Sequence, residues 1–357
     1  MMADFIEIDF LGVETDRSGD AITIRYSVNG ITRIHVVDGG YIDTGDQIIE
    51  HLEKFYGTTH IDYVVLTHPD QDHANGLRKV LEQCTVGELW MNRPWLYAAD
   101  LIDRFETYNS VDALKKKLRS TYAATAILED IALEKGIPIY VPMQGAVIGE
   151  FTVLAPTKAR YLDLVVMSEK TPDAVKEGRF AGAMEGFSRT LKAASAFIRS
   201  LWGDEYFPSE GTSNENEMSV VQYAVVNGRR VLLTGDAGRV GMTEAADYAP
   251  NVGLELPGIW VFQVPHHGGR HNVNTEVLDR WLGGRLPSPP QSTAWNAICS
   301  SAKADEDHPR KSVIRAMLHR GAHFSQTEGK TVNISNGISR EGWSPLPQES
   351  YPEDQEQ

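Results

Sequence analysis

Six consecutive residues, His68-Pro69-Asp70-Gln71-Asp72-His73, place two imidazoles and two carboxylates directly after the apolar run YVVLT at 63–67. A short run of β-branched and aromatic residues reads as a buried strand. The six therefore stand in the turn at its end, where neighbouring side chains can converge on one point. Nitrogen and oxygen donors without thiolate suit Zn²⁺, Mn²⁺ or Fe²⁺. A plainer reading is a solvated acidic turn with two incidental histidines, and clustering at the end of a buried strand argues against it. Cys84 and Cys299 are too far apart in sequence to frame a disulfide or a thiolate metal site. The sequence has no G-x-S-x-G elbow and no Walker-type phosphate loop, so serine-nucleophile and P-loop chemistries drop out.

The elements that must position these residues are legible nearby. Phe5 to Leu11 alternates apolar and polar residues, as a half-buried strand does. Ala21 to Val28 and Ile31 to Val37 are β-branched runs joined by Asn29-Gly30, a dipeptide that supplies the two positive φ angles of a tight hairpin. The second run ends at Asp38-Gly39-Gly40. Ser219 to Val226 and Arg229 to Thr234 repeat the plan around Asn227-Gly228 and end at Gly235-Asp236. Each acid follows the Asn of its turn at the same spacing, 29 to 38 and 227 to 236, which hints at two similar halves. Helical periodicity marks 46–56, 73–83, most of 96–135, 275–282 and 309–320. Lys158 to Tyr206 is alanine-rich and helical, broken at Thr171-Pro172, and reads as an inserted helical cap. Glu205 to Glu217 reads as a loop. Strands interspersed with helices give an α/β class with mixed sheets. One domain over 1–340 is expected, with an acidic, Pro-containing tail at 341–357 expected to be disordered.

At this point the sequence resembles a known family. The run at 68–73 looks like the HxHxDH signature of the metallo-β-lactamase superfamily, and other matches fall in order: VVDGG at 36–40, THPDQDHANGL at 67–77, LLTGDAG at 232–238 and VPHHGG at 264–269. Together with Ser18-Gly19-Asp20-Ala21 and Asp307-His308-Pro309 they resemble the metallo-β-lactamase-like domain of ComEC-type competence proteins. The resemblance implies an αββα sandwich of two mixed sheets flanked by helices, with two divalent ions, Zn²⁺ or Mn²⁺, between the sheets. It further implies that His68 and Asp70 bind the first metal and Asp72 and His73 the second. Asp236 would bridge them, and a histidine of VPHHGG would complete the second site. The motif does not choose between His266 and His267, with His267 favoured. Asp38 would sit beneath the metal loop and fix its geometry. Asp70 stands where the common pattern has His, which shifts preference toward Mn²⁺ and other oxygen-loving ions. No histidine precedes Asp236 to serve as the usual third ligand of the first site; the segment 214–217 lies where it would fall. Gly269 replaces a frequent Ser.

A dinuclear site needs no protein nucleophile, because two cations acidify bound water and polarise a phosphoryl or carbonyl oxygen. The resulting expectation is a metal-dependent phosphodiesterase or nuclease in which Asp72 and His308 take part in catalysis. His308, placed in the first turn of the last helix, would give a proton to the leaving oxygen. A hydrolase of a small ester, lactone or thioester and a metal-stabilised interaction module are the alternatives. The formal charge of −15, from 34 Lys+Arg against 49 Asp+Glu, disfavours broad nonspecific binding to nucleic acid. A nucleotide or nucleic-acid substrate stays open. Lys115-Lys116-Lys117-Leu118-Arg119 reads first as a solvated helix face, and Trp90, Trp95 and Tyr97 read first as core. No stretch approaches roughly 18 continuous apolar residues. A soluble, cytoplasmic protein is expected.

Overall fold

A computed structural model describes residues 4–171 and 197–356. The strands of the first half are β1 (Phe5–Phe10), β2 (Ala21–Val28), β3 (Ile31–Gly39), β4 (His60–Val65), β5 (Thr85–Trp90) and β6 (Ile139–Tyr140). There follow β7 (Val147–Ile148), β8 (Phe151–Ala155), β9 (Phe197–Arg199), β10 (Val221–Val226), β11 (Arg229–Leu233) and β12 (Val261–Gln263). The last are β13 (Trp295–Cys299), β14 (Ala322–Gln326), β15 (Val332–Asn336) and β16 (Asp354–Glu356). They form two seven-stranded mixed sheets, β15-β1-β2-β3-β4-β5-β6 and β14-β13-β12-β11-β10-β8-β7, and a small pair, β16-β9.

The two hairpins seed the two sheets in the same way. Asn29 and Gly30 take φ of 54° and 80°, and Asn227 and Gly228 take 48° and 71°, both central residues positive as a two-residue turn between twisted strands requires. β3 pairs antiparallel with β2 and parallel with β4. β11 likewise pairs antiparallel with β10 and parallel with β12. Asp38, near the end of β3, and Asp236, just past β11, thus stand at matching points where pairing changes sense. The equal spacing in sequence reflects equal topology.

Three apolar layers hold the sandwich. Ile6, Ile8, Phe10, Ile24 and Val37 of one sheet meet Phe151, Val153, Val231, Leu233 and Ile298 of the other. The outer face of the first sheet packs on the helices Thr44–His51, Leu77–Gln83 and Ala123–Glu134 through Ile48, Leu77, Leu81 and Leu128. The outer face of the second packs on Arg239–Tyr248, Thr275–Leu282 and Lys311–His319 through Met242, Leu278, Trp281 and Met317. The result is the αββα sandwich. A fourth cluster, with Trp95, Leu114, Leu118, Tyr161, Leu164 and Met218, joins the helices of 94–121 to the helix Lys158–Met167.

Several expectations are corrected. Residues 341–356 are not a disordered tail. β16 pairs with β9, Gln355 and Glu356 are buried, and the Glu356 carboxylate accepts the Lys311 and Ser312 N–H groups at 3.0 Å. The acids that looked like solvated surface serve as a helix cap and, through Asp354, an ion-pair partner of Lys311 at 2.9 Å. Of the expected helical cap, Lys158–Met167 is helix, 172–196 lies outside the described residues, and Phe197–Arg199 is strand. Trp95 is core and donates its indole N–H to Glu129, while Trp90 stacks on Tyr140. No helix among the described residues is long and apolar enough to cross a membrane.

Candidate metal centre

The motif run leaves β4 as a tight turn and enters the short helix Gln71–Ala74. Its backbone is clamped from both sides: Asp20 N–H donates to the Asp72 carbonyl at 3.2 Å and Gly76 N–H to the Gly40 carbonyl at 3.0 Å. A Cβ at Gly76 would stand 1.9 Å from the Gly39 carbonyl oxygen, so only glycine allows this approach. From the other half come Asp236 after β11 and the turn Pro265–Gly268 after β12. In that turn His266 and His267 both adopt left-handed backbone, φ 49° and 54°. Asp38 does the same at φ 56°. Three non-glycine residues in this sparsely populated region at one site are backbone strain held by the surrounding fold.

Each histidine is oriented by an acceptor at its Nδ1. His73 Nδ1 lies 2.7 Å from Asp38 Oδ2. Asp38 also accepts the Thr67 N–H at 2.8 Å and the Thr67 hydroxyl at 2.6 Å, so the hydroxyl, its proton committed, accepts from His68 Nδ1 at 3.1 Å. His267 Nδ1 donates to the Ser300 carbonyl at 3.0 Å. Asn272 gives its amide proton to the Asp236 carbonyl at 2.7 Å, which leaves its oxygen to accept from His266 Nδ1 at 2.9 Å. All four rings therefore hold a proton on Nδ1 and turn Nε2 inward. Nε2 of His68, His73 and His267 is buried without a hydrogen-bond partner, as is Asp236 Oδ1.

The inward atoms sort into two sets. Asp236 Oδ2 faces His68 Nε2 at 3.6 Å and His266 Nε2 at 3.7 Å, with Asp70 Oδ2 3.8 Å from His68. Asp236 Oδ1 faces His73 Nε2 at 3.4 Å and His267 Nε2 at 4.0 Å, with Asp72 Oδ2 3.6 Å from His267 and 4.0 Å from His73. These gaps are too wide for hydrogen bonds. They match the ~3.4 Å edge of a tetrahedron whose corners lie about 2.1 Å from a central cation. Asp72, His73 and His267 offer ligand atoms within 4.8 Å of one another, as do His68, His73 and Asp236, so each cluster has the donors of one divalent ion, and Asp70 and His266 adjoin the second of them.

The structure thus brings His68, Asp70, Asp72, His73, Asp236, His266 and His267 together, and it uses both histidines of VPHHGG, one on each side. His266 Nε2, 3.7 Å from Asp236 Oδ2, is a candidate for the donor that the first site lacked in sequence. The segment 214–217 does not reach it: Glu215 accepts from Ser168, and Glu217 pairs with Arg160 at 3.2 Å and accepts the Gly241 N–H at 2.7 Å. A Cβ at Gly269 would press within 2.8 Å of His266 Nδ1, so a serine there would disturb the histidine it follows.

Electrostatics follow from burying these charges together. Burial opposes a charge on His73, yet Asp236, Asp38 and Asp72 outweigh it and push its pKa well above the usual imidazole value. His267 is pushed to about 9 by Asp236 and Asp72 against the same burial. Asp236 is held well below the carboxylate range by the four histidines, although burial opposes it. In effect the carboxylates demand cations.

Two further groups flank the set. His308 lies outside the helix it was assigned to, which begins at Lys311. Its ring centroid is 5.4 Å from that of His266 and 6.1 Å from that of His267. Its Nδ1 is 3.2 Å from Asp305 Oδ2, which also accepts the Ser18 N–H at 3.0 Å and the Ser18 hydroxyl at 2.8 Å. Burial lowers the His308 pKa while Asp305 opposes. Asp20, which carried no role in the sequence reading, is buried within ligand reach of Asp236 and His267. Its Oδ2 accepts from Gln263, whose own oxygen accepts the Thr234 and Gly235 N–H groups ahead of Asp236.

No family model matches the chain, and no curated protein matches it. Solved structures do. A diphosphatase of the PhnP family is 10% identical over 93% of this chain and 98% of its own, with a TM-score of 0.40. The hydrolase AbOPH of the beta lactamase superfamily is 10% identical over 61% of this chain and 56% of its own, at 0.29. The dizinc quorum-quenching lactonase AidC is 11% identical over the same shares, 61% and 56%, at 0.29. Likenesses this distant carry no argument about activity, which rests on the residues of the site.

Proposed function

We propose that this chain is a hydrolase of the metallo-β-lactamase superfamily, dependent on two divalent cations, and that it cleaves phosphoryl esters. The observation that carries the first part is the four Nε2 atoms turned inward around a carboxylate, Asp236, that offers one oxygen to each set. His68, Asp70, His266 and Asp236 would hold one ion, and Asp72, His73, His267 and Asp236 the other. Ions held there supply acidified water and Lewis-acid polarisation of the scissile group. The chain's own residues do the rest. Asp38 and Thr67 keep His68 and His73 in one tautomer. Asp305, anchored by Ser18, accepts Nδ1–H of His308, so the imidazolium form carries a second proton on Nε2, and burial, which weakens its hold on that proton, favours its release to the leaving oxygen. The carboxylate Asp70 supports a preference for Mn²⁺ over Zn²⁺ on the first side.

The test is a substrate panel on metal-loaded protein: bis(p-nitrophenyl) phosphate, single-stranded and duplex DNA, RNA, cyclic nucleotides and a lactone. Phosphodiester cleavage that disappears on chelation and returns more fully with Mn²⁺ than with Zn²⁺ is the expected result. Cleavage of the lactone alone would move the substrate to carboxylic esters, and silence throughout would leave a metal-binding interaction module.

A further inference from the structure

We propose that Lys170 is the anion-binding residue of the metal centre, placed to hold a phosphoryl oxygen of the substrate on the His68–His266 side. The inference deepens the phosphoryl-ester reading and rests on it. Lys170 Nζ pairs with Asp70 Oδ1, while Asp70 Oδ2 faces His68 Nε2 at 3.8 Å. One carboxylate thus connects the lysine to the inner set. The side chains of Lys170 and Asp70 are 41% and 27% exposed, so the pair sits at the mouth of the site and within reach of a ligand from solvent.

The backbone that carries Lys170 is built. The helix Lys158–Met167 ends at Ser168, whose buried hydroxyl donates to Glu215 and accepts the Lys170 N–H at 3.1 Å. Thr171, also buried, donates its hydroxyl to the Val165 carbonyl at 2.8 Å and its N–H to the Ser168 carbonyl at 3.0 Å. These bonds fix the turn on both sides of the lysine. An ion pair this exposed contributes little to stability, so the fold gains little from the lysine itself. Asp70 and Asp72 are the partly exposed carboxylates of the ligand set, and a positive side chain beside them offsets their repulsion of an incoming phosphoryl oxygen. Among the described residues Lys170 is the Lys or Arg whose ion pair reaches a residue of the ligand set. An ammonium is a compact point charge suited to a phosphoryl oxygen, and exchanging Asp70 Oδ1 for that oxygen keeps its charge partnered.

Calorimetric titration of the Mn²⁺-loaded protein with inorganic phosphate tests this without reference to turnover. Wild type should bind phosphate, Lys170→Met should bind it about 10-fold or more weakly, as loss of one charge-assisted hydrogen bond implies, and Lys170→Arg should restore most of the affinity. Metal content should be equal in all three. Equal phosphate affinity in wild type and Lys170→Met would overturn the assignment and leave the phosphoryl-ester reading standing. Failure of wild type to bind phosphate would overturn both. Loss of a metal ion from Lys170→Met would make the lysine a support of Asp70 and would also overturn it.

Discussion

Asp236 is the residue on which the centre turns, because its two oxygens address different histidine pairs. Wild-type protein should hold about two divalent ions, Asp72→Ala about one, and Asp236→Ala almost none, since Asp236 offers one oxygen to each set. Elemental analysis after desalting reads this directly; two ions retained by Asp72→Ala would break the division of ligands given above. His308→Ala should keep both ions. It should slow cleavage of a substrate with a poor leaving group by about 10²-fold or more, and cleavage of a p-nitrophenyl ester much less, because p-nitrophenolate leaves unprotonated. Equal losses on both substrates would remove the acid role. The run 68–73 was legible because its chemistry is contiguous in sequence. The division of labour between His266 and His267 was not, because it depends on two successive left-handed residues that turn adjacent side chains to opposite sides. Asp20 and Lys170 were hidden for another reason. Asp20 stood in the motif Ser18-Gly19-Asp20-Ala21 with no role attached, a surface lysine has no local signature, and only long-range folding brings both to the site.

Elements meet closely at two places that can be tested. The loop after His73 passes so near the end of β3 that Gly76→Ala would force apart the backbone carrying Asp38. That variant should lose metal affinity and melt lower, while Gly30→Ala, at a turn with open space around it, should keep full metal content. The second place is the N-terminus of the helix Lys311–His319, which has no cap from its own side chains and takes Glu356 instead. Glu356→Ala should cost about 1 kcal/mol, a fall in melting temperature of ~1–2 °C for a chain of this length, with metal content unchanged. No change in melting would mean the last strand adds nothing to the fold. The hairpins were readable from Asn-Gly and β-branched runs, since turn chemistry is local. The ordered C-terminal segment was not, because acidic, proline-containing chain is solvated unless a distant helix end needs its charge.

At the scale of the molecule, the apolar layer between the sheets contains one imidazole, His35, edge-on to Phe151 at 4.8 Å. Burial pushes its pKa down to about 3, with Gln222 opposing. The unfolded chain takes up this proton near pH 6.5 and the folded chain does not, so stability is full above pH 6.5 and falls as pH drops from there toward 3. Between pH 6.5 and 5 the loss from this one group is about 2 kcal/mol, and His35→Leu should flatten that part of a urea-melt profile. An unchanged slope would show that His35 finds a proton-accepting partner when folded. The mixed-sheet class was legible from the alternation of strands and helices; the pairing of halves into a sandwich rested on the family resemblance, because strand order is a long-range property. One consequence follows from the way the ligand sets are shared. Each ion would be held by residues from both halves, His68 to His73 on one sheet and Asp236 to His267 on the other, and so would act as a rivet across the seam. Forcing the sheets apart must break that grip, and resistance to unfolding should therefore rise with free metal concentration, by about 2.7 kcal/mol for each ion at a hundred times its dissociation constant. Under mechanical pulling, the same rivets should make the seam the last part of the loaded protein to open and one of the first to open once a chelator has stripped it.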